Sequence, residues 1–521
     1  MCGIIGIQES GNHFPHVKYM LDGMSHRGKD GEDFFLDGNL VLGHKRLSII
    51  DHENGKQPMT SRDGRWTVTF NGCIYNYKDL DVDTDTNSDT EVLVEGLAKY
   101  GIDFIKQLNG MFAFAAWDGE NLYLGRDRYG IKPLYYWSNE DVFVFASEIK
   151  AITRHPKFNA KVDLFSLEEY FTFQNNLSST TLFEGVNMLP QGHYMKNGVL
   201  VKYWNWDFNP IKMDLNEAKE ETHRLLKQAV KRQLISDVPV GSYLSCGLDS
   251  GSITKYAMKP TFTCGFDMQG VEGREANFDE SVDARNMASS LGLDNYNVHI
   301  NKTHIEKLKE VVYHLEDLRV GMCYPSYEVA KLASGSVKVC LSGAGGDELF
   351  GGYPWRYGMD KNSYFNYWNR LGDVELIQKT DHCRGVFDSY FEEYNEQAVF
   401  NFEASTFLHG ILCVGDKMSM AHTLEERFPF LDNDLVDFAM KSPFKDKVVL
   451  GKGRKQGFSA PDENWYRNNK FIKDVLTNRI SEPYINQDYV NRILLEHNNS
   501  KNHRLLIWSL LAFEMWCVNF L

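Results

Sequence analysis

Positive charge is in short supply in this chain, and closely paired cysteines are missing altogether. Lys and Arg number 56 against 71 Asp and Glu, a formal charge of −15, and such a surface repels a polyphosphate backbone. Nucleic acid is therefore not an expected partner. The nine cysteines (Cys2, Cys73, Cys246, Cys264, Cys323, Cys340, Cys383, Cys413 and Cys517) are odd in number and scattered, which excludes the close pair spacing of a structural zinc site. Free thiols in a reducing cytoplasm are the expectation. No stretch reads as apolar enough to span a bilayer. The apolar run from Met1 to Ile7 has no basic flank and ends at Gln8 and Glu9, so it does not read as a signal peptide, and no membrane partner is expected. Low-complexity tracts and internal repeats are also lacking.

What is present is a globular composition, 43% hydrophobic and 13% aromatic over 521 residues, too long for one ordinary hydrophobic core. Between Arg65 and Glu148, short alternating runs (Trp66 to Phe70, Met111 to Trp117, Asn121 to Gly125, Leu134 to Trp137, Val142 to Ala146) predict antiparallel strands. One helix is predicted from Asp89 to Lys99. After a mixed stretch from Asp207 to Asn216, strand candidates (Gly241 to Leu244, Thr261 to Phe266, Asn297 to Ile300, Val337 to Leu341) alternate with helix candidates (Ser281 to Leu291, His304 to Leu315, Tyr327 to Ala333). That alternation predicts a parallel sheet with ligands at the strand ends. From about Tyr353 the chain reads as largely helical. The expected division is residues 1–206 and 216–521.

If Met1 is removed, Cys2 presents a thiol and a free α-amine on one residue, so the nucleophile carries its own base. A cysteine near a terminus is by itself more often a small buried hydrophobe. Its surroundings change that reading. Cys2-Gly3-Ile4-Ile5-Gly6, His26-Arg27-Gly28, Gly43 to Asp51, Phe70-Asn71-Gly72, Gly110 to Phe114 and Gly125-Arg126-Asp127 with Gly130 to Tyr135 resemble class II glutamine amidotransferases. The resemblance implies an α+β N-terminal nucleophile hydrolase sandwich, two antiparallel sheets between helices. It further implies that Cys2 attacks the glutamine amide, that Asn71 and Gly72 form the oxyanion hole, that Arg46 holds the substrate carboxylate and that Asp89 meets the α-ammonium. Asp89 also reads as a helix N-cap. Cys73 departs from the pattern, standing where the family usually has a glutamate, and Lys29 replaces a usual proline.

In the second half, Pro239 to Leu244 leads into Ser245-Cys246-Gly247-Leu248-Asp249-Ser250-Gly251, a strand, tight loop and helix start that directs backbone N–H groups at anionic oxygens. Val337 to Leu341 leads into Ser342-Gly343-Ala344-Gly345-Gly346-Asp347-Glu348, whose glycines permit close approach of a ligand. Both loops resemble those of asparagine synthetases and their β-lactam synthetase relatives, ATP pyrophosphatases that release AMP. The resemblance implies an α/β nucleotide-binding domain with a helical C-terminal part, ATP contacts at Leu244, Ser245, Gly247, Asp249, Ser250, Cys264, Ser342, Gly343 and Asp347, and Mg2+ on Asp249 and Asp347. Lys417, Ser419, Glu425 and Arg427 to Asp432 extend it. Cys246 and Ala344 depart from it; at position 344 many members carry an acid. Between Asp432 and Lys455 the chain reads as shortened, lacking the segment that carries a phosphate-contacting lysine; Lys452 is a candidate substitute, although it reads more readily as an exposed loop charge.

These readings imply a glutamine-dependent asparagine synthetase acting through an acyl-adenylate, with glutamine, ATP and aspartate as small-molecule substrates and a homodimer left open. Amidation of another carboxylate, a sugar uronic acid or a peptide, is the alternative within the enzyme class. A non-catalytic glutamine or nucleotide sensor is the alternative outside it.

Overall fold

The computed structural model describes residues 2–11, 13–321, 323–372, 375–443, 459–477, 479–499 and 501–521. Its first half holds twelve strands, β1 (Gly3–Glu9), β2 (Gly31–Asp37), β3 (Leu40–Arg46), β4 (Met59–Thr60), β5 (Thr67–Ile74), β6 (Gly110–Trp117), β7 (Leu122–Arg126), β8 (Tyr135–Ser138), β9 (Val142–Ala146), β10 (Asn187–Met188), β11 (His193–Lys196) and β12 (Val199–Lys202). They form two six-stranded antiparallel sheets, ordered β10-β8-β9-β1-β3-β2 and β12-β11-β7-β6-β5-β4. Strand alternation explains how they pack. On β1, Ile4 turns to the opposite sheet and meets Ala113, Ala115 and Leu124, whereas Ile5 and Ile7 turn outward. There they cover α1 (Phe14–Asp22) through Val17, Met20 and Leu21. The second sheet is covered by α2 (Asp89–Tyr100), whose Val92, Leu93 and Leu97 pack on Val68, Phe70 and Phe112.

The second half builds a five-stranded parallel sheet from β13 (Val240–Tyr243), β14 (Thr261–Phe266), β15 (Asn295–Ile300), β16 (Val339–Leu341) and β17 (Glu425–Arg427), in the order β15-β14-β13-β16-β17. From β13 the chain moves outward to β14 and β15, and then returns to the other side at β16. The ends of β13 and β16 therefore flank the point where the order reverses, which is where a parallel sheet opens a crevice for ligands. β17 lies in a region read as helical from sequence. Three residues are too few to show a period, and its place follows from register, with Cys340 opposite Glu426 and Leu341 opposite Arg427.

The two halves share buried surface. Lys150 bonds Glu148 at 2.6 Å and reaches Glu316 at 3.1 Å; Lys417 also pairs with Glu316. Arg27 meets both Glu148 and Asp416 at 2.9 Å, and Lys132 meets Asp416 at 3.4 Å. The C-terminal helix Arg504–Phe520 closes the same core, with Trp516 Nε1 donating to Glu316 O at 2.8 Å. One reading from sequence is corrected here. The helix Glu396–Met420 is long and apolar enough to cross a membrane by length and composition, with 61% of its apolar window buried inside the fold. Its Val399, Phe400, Leu408 and Leu412 are core residues of this protein, so its apolarity is accounted for by packing.

Candidate active site

Strand β1 carries Cys2 at its start, and β5 brings Asn71, Gly72 and Cys73 beside it. The Cys2 backbone N–H donates to Asn71 Oδ1 at 3.0 Å. With its oxygen so engaged, the buried Asn71 Nδ2 has no partner among the described residues, which leaves an oriented donor next to the thiol. Burial raises the Cys2 thiol above its ordinary range, against a lowering influence from the chain's own α-amine. The sulfur therefore rests as a thiol and needs a base to become nucleophilic.

A small recess opens onto this sulfur, lined by Cys2, Arg46, Gly72, Cys73, Asp89 and Glu425 among others. Arg46 is held by backbone carbonyls, its Nη1 donating to His52 O at 2.7 Å and its Nη2 to Asp51 O at 2.6 Å. Asp89 is buried, and its carboxylate accepts from Ile74 N–H at 3.0 Å. Desolvation is the main influence on it and pushes it up to about 7, opposed by that hydrogen bond. The helix cap expected at Asp89 belongs instead to Ser88, whose side chain accepts from Thr90 N–H. Asp89 is the first helical residue, and it lines the recess.

Glu425 was singled out in the sequence only as part of a longer resemblance, yet its place in this recess comes from the other half of the chain. Arg427 Nε bonds it at 2.6 Å and holds its carboxyl below the usual range despite burial. Cys73, buried at 2%, cannot supply charge, because burial drives its thiol up. The acids of the recess are thus Asp89 from the first half and Glu425 from the second.

The loops after β13 and β16 meet at the strand ends. Ser245 and Ser250 hydroxyls lie 3.0 Å apart, and Ser250 Oγ also accepts from Ser245 N–H at 3.2 Å. Gly247 caps the helix Leu248–Ala257, whose first turn leaves backbone N–H groups for a ligand. A Cβ at Gly343 would lie 2.9 Å from Ser250 N, and one at Gly346 would lie 2.6 Å from Asp249 Cγ. Only glycine permits this closeness, so the two loops form one wall. Asp249 and Asp347 are both part-exposed on it, and their hard oxygens suit a divalent cation. Leu244, just past the end of β13, and Cys264, within the neighbouring β14, are buried at 3% and 5% exposure. Lys452, Lys455 and the residues around them lie outside the described residues.

Two further groups escaped the sequence reading. Arg27 was quoted as part of a motif without a role; its Nε donates to Cys2 O at 3.0 Å and its Nη1 pairs with Asp416. Glu426 shares a strand face with Ser342 of the glycine-rich loop, whose backbone N–H donates to the adjacent Arg427 O at 2.8 Å. The available signal was the doublet Glu425-Glu426, since adjacent acids on a strand point to opposite faces.

A cysteine thiol beside a free carboxamide donor on an antiparallel sandwich, joined to a parallel sheet with paired small-residue loops, suits amide cleavage in one half and anion binding in the other. Comparison with known proteins agrees. Residues 1–204 match the glutamine amidotransferase domain family, and residues 221–454 and 449–518 match the asparagine synthase family. The chain belongs to the asparagine synthase family. It is 30% identical to asparagine synthetase [glutamine-hydrolyzing] 1 of Bacillus subtilis (strain 168), over 99% of this chain and 96% of that protein. It is also 30% identical to asparagine synthetase [glutamine-hydrolyzing] 3 of the same organism, over 86% and 82%. Similarity to asparagine synthetase B [glutamine-hydrolyzing] of Escherichia coli (strain K12) is 29%, over 83% of this chain and 72% of that protein.

Proposed function

We propose that this protein makes asparagine from aspartate, taking nitrogen from glutamine and activating aspartate with ATP. The observation that carries the proposal is the recess at Cys2, which takes Arg46 and Asp89 from one half and Glu425 from the other. The family matches and the division of sheets support a glutaminase unit of residues 1–206 and a synthetase unit of residues 216–521.

In the first unit the Cys2 thiol, deprotonated by its own α-amine once Met1 is removed, attacks the glutamine amide carbon. Asn71 Nδ2 and the Gly72 N–H take up the negative charge on oxygen. The protonated α-amine returns that proton to the amide nitrogen, ammonia leaves with the C–N electron pair, and water then releases glutamate from the thioester. Arg46 holds the glutamine carboxylate, while Asp89 and Glu425 flank its α-ammonium. In the second unit Ser245, Gly247, Ser250, Ser342 and Gly343 seat the phosphates, and Leu244 and Cys264 face the adenine. Asp249 and Asp347 would hold Mg2+, which when bound neutralises charge on the departing pyrophosphate. The aspartate side-chain carboxylate attacks the α-phosphorus, and ammonia displaces AMP from the acyl-adenylate. A closed passage between the units keeps water from that adenylate.

Pyrophosphate release measured with ATP, Mg2+ and ammonium tests the acceptor. Release with aspartate is expected; release only with a uronic acid or a peptide carboxylate overturns the assignment. Asp249→Asn and Asp347→Asn should each lower that release by about 10²- to 10³-fold, the scale of losing one charge-stabilising group, with glutaminase activity retained.

Asp89 adds a pH dependence. Its carboxyl titrates at about 7 in the free protein, and an ammonium group binds the ionised form. The KM for glutamine should therefore rise by up to about tenfold for each pH unit below that value, levelling where Glu425 alone remains charged. An Asp89→Asn variant should show a high KM that no longer changes with pH in this range. A wild-type KM that is flat through pH 7 would remove Asp89 from glutamine binding.

A further inference from the structure

Joining ammonia to an activated carboxyl group leaves a proton to be removed. As the nitrogen lone pair forms the C–N bond, the carbonyl π pair moves onto oxygen and nitrogen becomes positively charged. Loss of AMP with the C–O electron pair competes with simple return of ammonia until one N–H proton is taken. The loop after β16 offers little for this step. Ala344 stands at its middle, and Glu348 is turned away, accepting from Tyr353 Oη at 2.7 Å.

The next strand supplies a carboxylate. Glu426 lies opposite Cys340 in register, and Ser342, the first residue of the loop, donates its backbone N–H to Arg427 O at 2.8 Å, so strand alternation puts the Ser342 and Glu426 side chains on one face. It is 7% exposed. Its Oε2 occupies a notch over the long helix, where a Cβ on Gly415 would lie 2.9 Å from it. Glu425 has Arg427 at 2.6 Å, whereas no cation lies within 4 Å of Glu426 among the described residues. The charged groups facing it are Lys132 and Asp416, themselves 3.4 Å apart, and the sheet side adds Cys340 and Tyr243.

Its location also matters. Arg27 binds Cys2 O through Nε and Asp416 through Nη1; Asp416 follows Gly415 in the chain. Contacts thus run from Cys2 through Arg27 and the Gly415-Asp416 turn of helix to Glu426 and Ser342. One end of this line is where ammonia is released, and the other is where the nucleotide loop begins.

We propose that Glu426 is the proton acceptor of amide formation. This rests on the asparagine-forming reading given above. The Glu426 carboxylate takes one proton from the tetrahedral ammonium intermediate, AMP departs with its electron pair, and the carboxyl later returns the proton to water. Burial pushes this carboxyl up to about 7, so it both accepts and releases a proton near neutral pH.

The test uses the full chain with glutamine as donor and reads amide formed per pyrophosphate released. Glu426→Gln should lower this ratio by about 10²-fold or more, the usual range for losing a general base. Pyrophosphate release and glutamine hydrolysis should continue, because the adenylate is then lost to water. In the unaltered protein at saturating glutamine, the ratio, normalised to the glutamate released so that ammonia supply is accounted for, should fall as pH drops through about 7, since the protonated carboxyl cannot accept. Glu426→Gln with an unchanged ratio overturns the proposal. Should that variant fail to fold, the unaltered protein decides, because a ratio that stays constant through this pH range also overturns it. Absence of any pyrophosphate release with aspartate in the unaltered protein would instead overturn the asparagine-forming reading, so the two failures are told apart.

Discussion

Replacing Cys2 with alanine should abolish glutamine-driven amide formation, by a factor on the order of 10⁴ or more, and leave ammonium-driven formation close to its starting rate. The size follows from removing a nucleophile that forms a covalent intermediate, for which the neighbouring donors alone cannot substitute. The selectivity follows from position: Cys2 lines the recess proposed for glutamine, and the wall proposed for the nucleotide is built separately, from Ser245 to Ser250 and Ser342 to Asp347. Because burial holds the thiol above its ordinary range, glutaminase activity in the unaltered protein should climb with pH as the α-amine loses its proton. Intact-mass measurement supplies the companion check. Retention of Met1 in active protein would remove the amine from the mechanism, and a Cys2→Ala variant that still uses glutamine would remove the thiol.

Arg27→Met should destabilise the fold by about 3–5 kcal/mol, the cost of removing one partner from a buried charge pair. Arg27 is fully buried, and its guanidinium serves Glu148, Asp416 and the Cys2 carbonyl together. The remaining cations, Lys150 beside Glu148 and Lys132 beside Asp416, place the effect toward the lower end. The sign with pH is fixed by the acids. Both carboxyls are held below their usual range in the folded state, so their contribution is present above the unfolded carboxylate pKa and lost as pH falls through the folded values. The deficit of Arg27→Met should accordingly be greatest near neutrality and shrink in acid. Denaturant unfolding at several pH values measures this. A midpoint unchanged at pH 7 would show that the pair contributes nothing. Loss of ammonia coupling is expected alongside, since the same side chain joins the Cys2 backbone to the helix that carries Asp416.

Several features were legible in the residues because they depend on neighbours in the chain. The strands Val142–Ala146 and Thr261–Phe266 appear with the bounds their alternation suggests, and Leu122–Arg126 is displaced by one residue at each end. The loops at Ser245 and Ser342 announce themselves through small residues between a strand and a helix. Ser88 rather than Asp89 as the cap was harder to read, since both residue types cap helices and only backbone geometry separates them. Cys73 could be seen as a lost charge, but nothing nearby in sequence told where a second acid would come from.

Local order alone dictated a cysteine at position 2 able to share a residue with a free α-amine, the strand and helix periods, and the two small-residue loops, because each is a property of residues within one turn or one strand of each other. Folding decided which distant groups share a space: Glu425 beside Cys2, Glu426 against Ser342, and Arg27 between Cys2 and Asp416. Such contacts join residues well separated along the chain, and their partners are chosen by sheet register and by the need of every buried charge for a counter-charge, neither of which a linear order of residues contains.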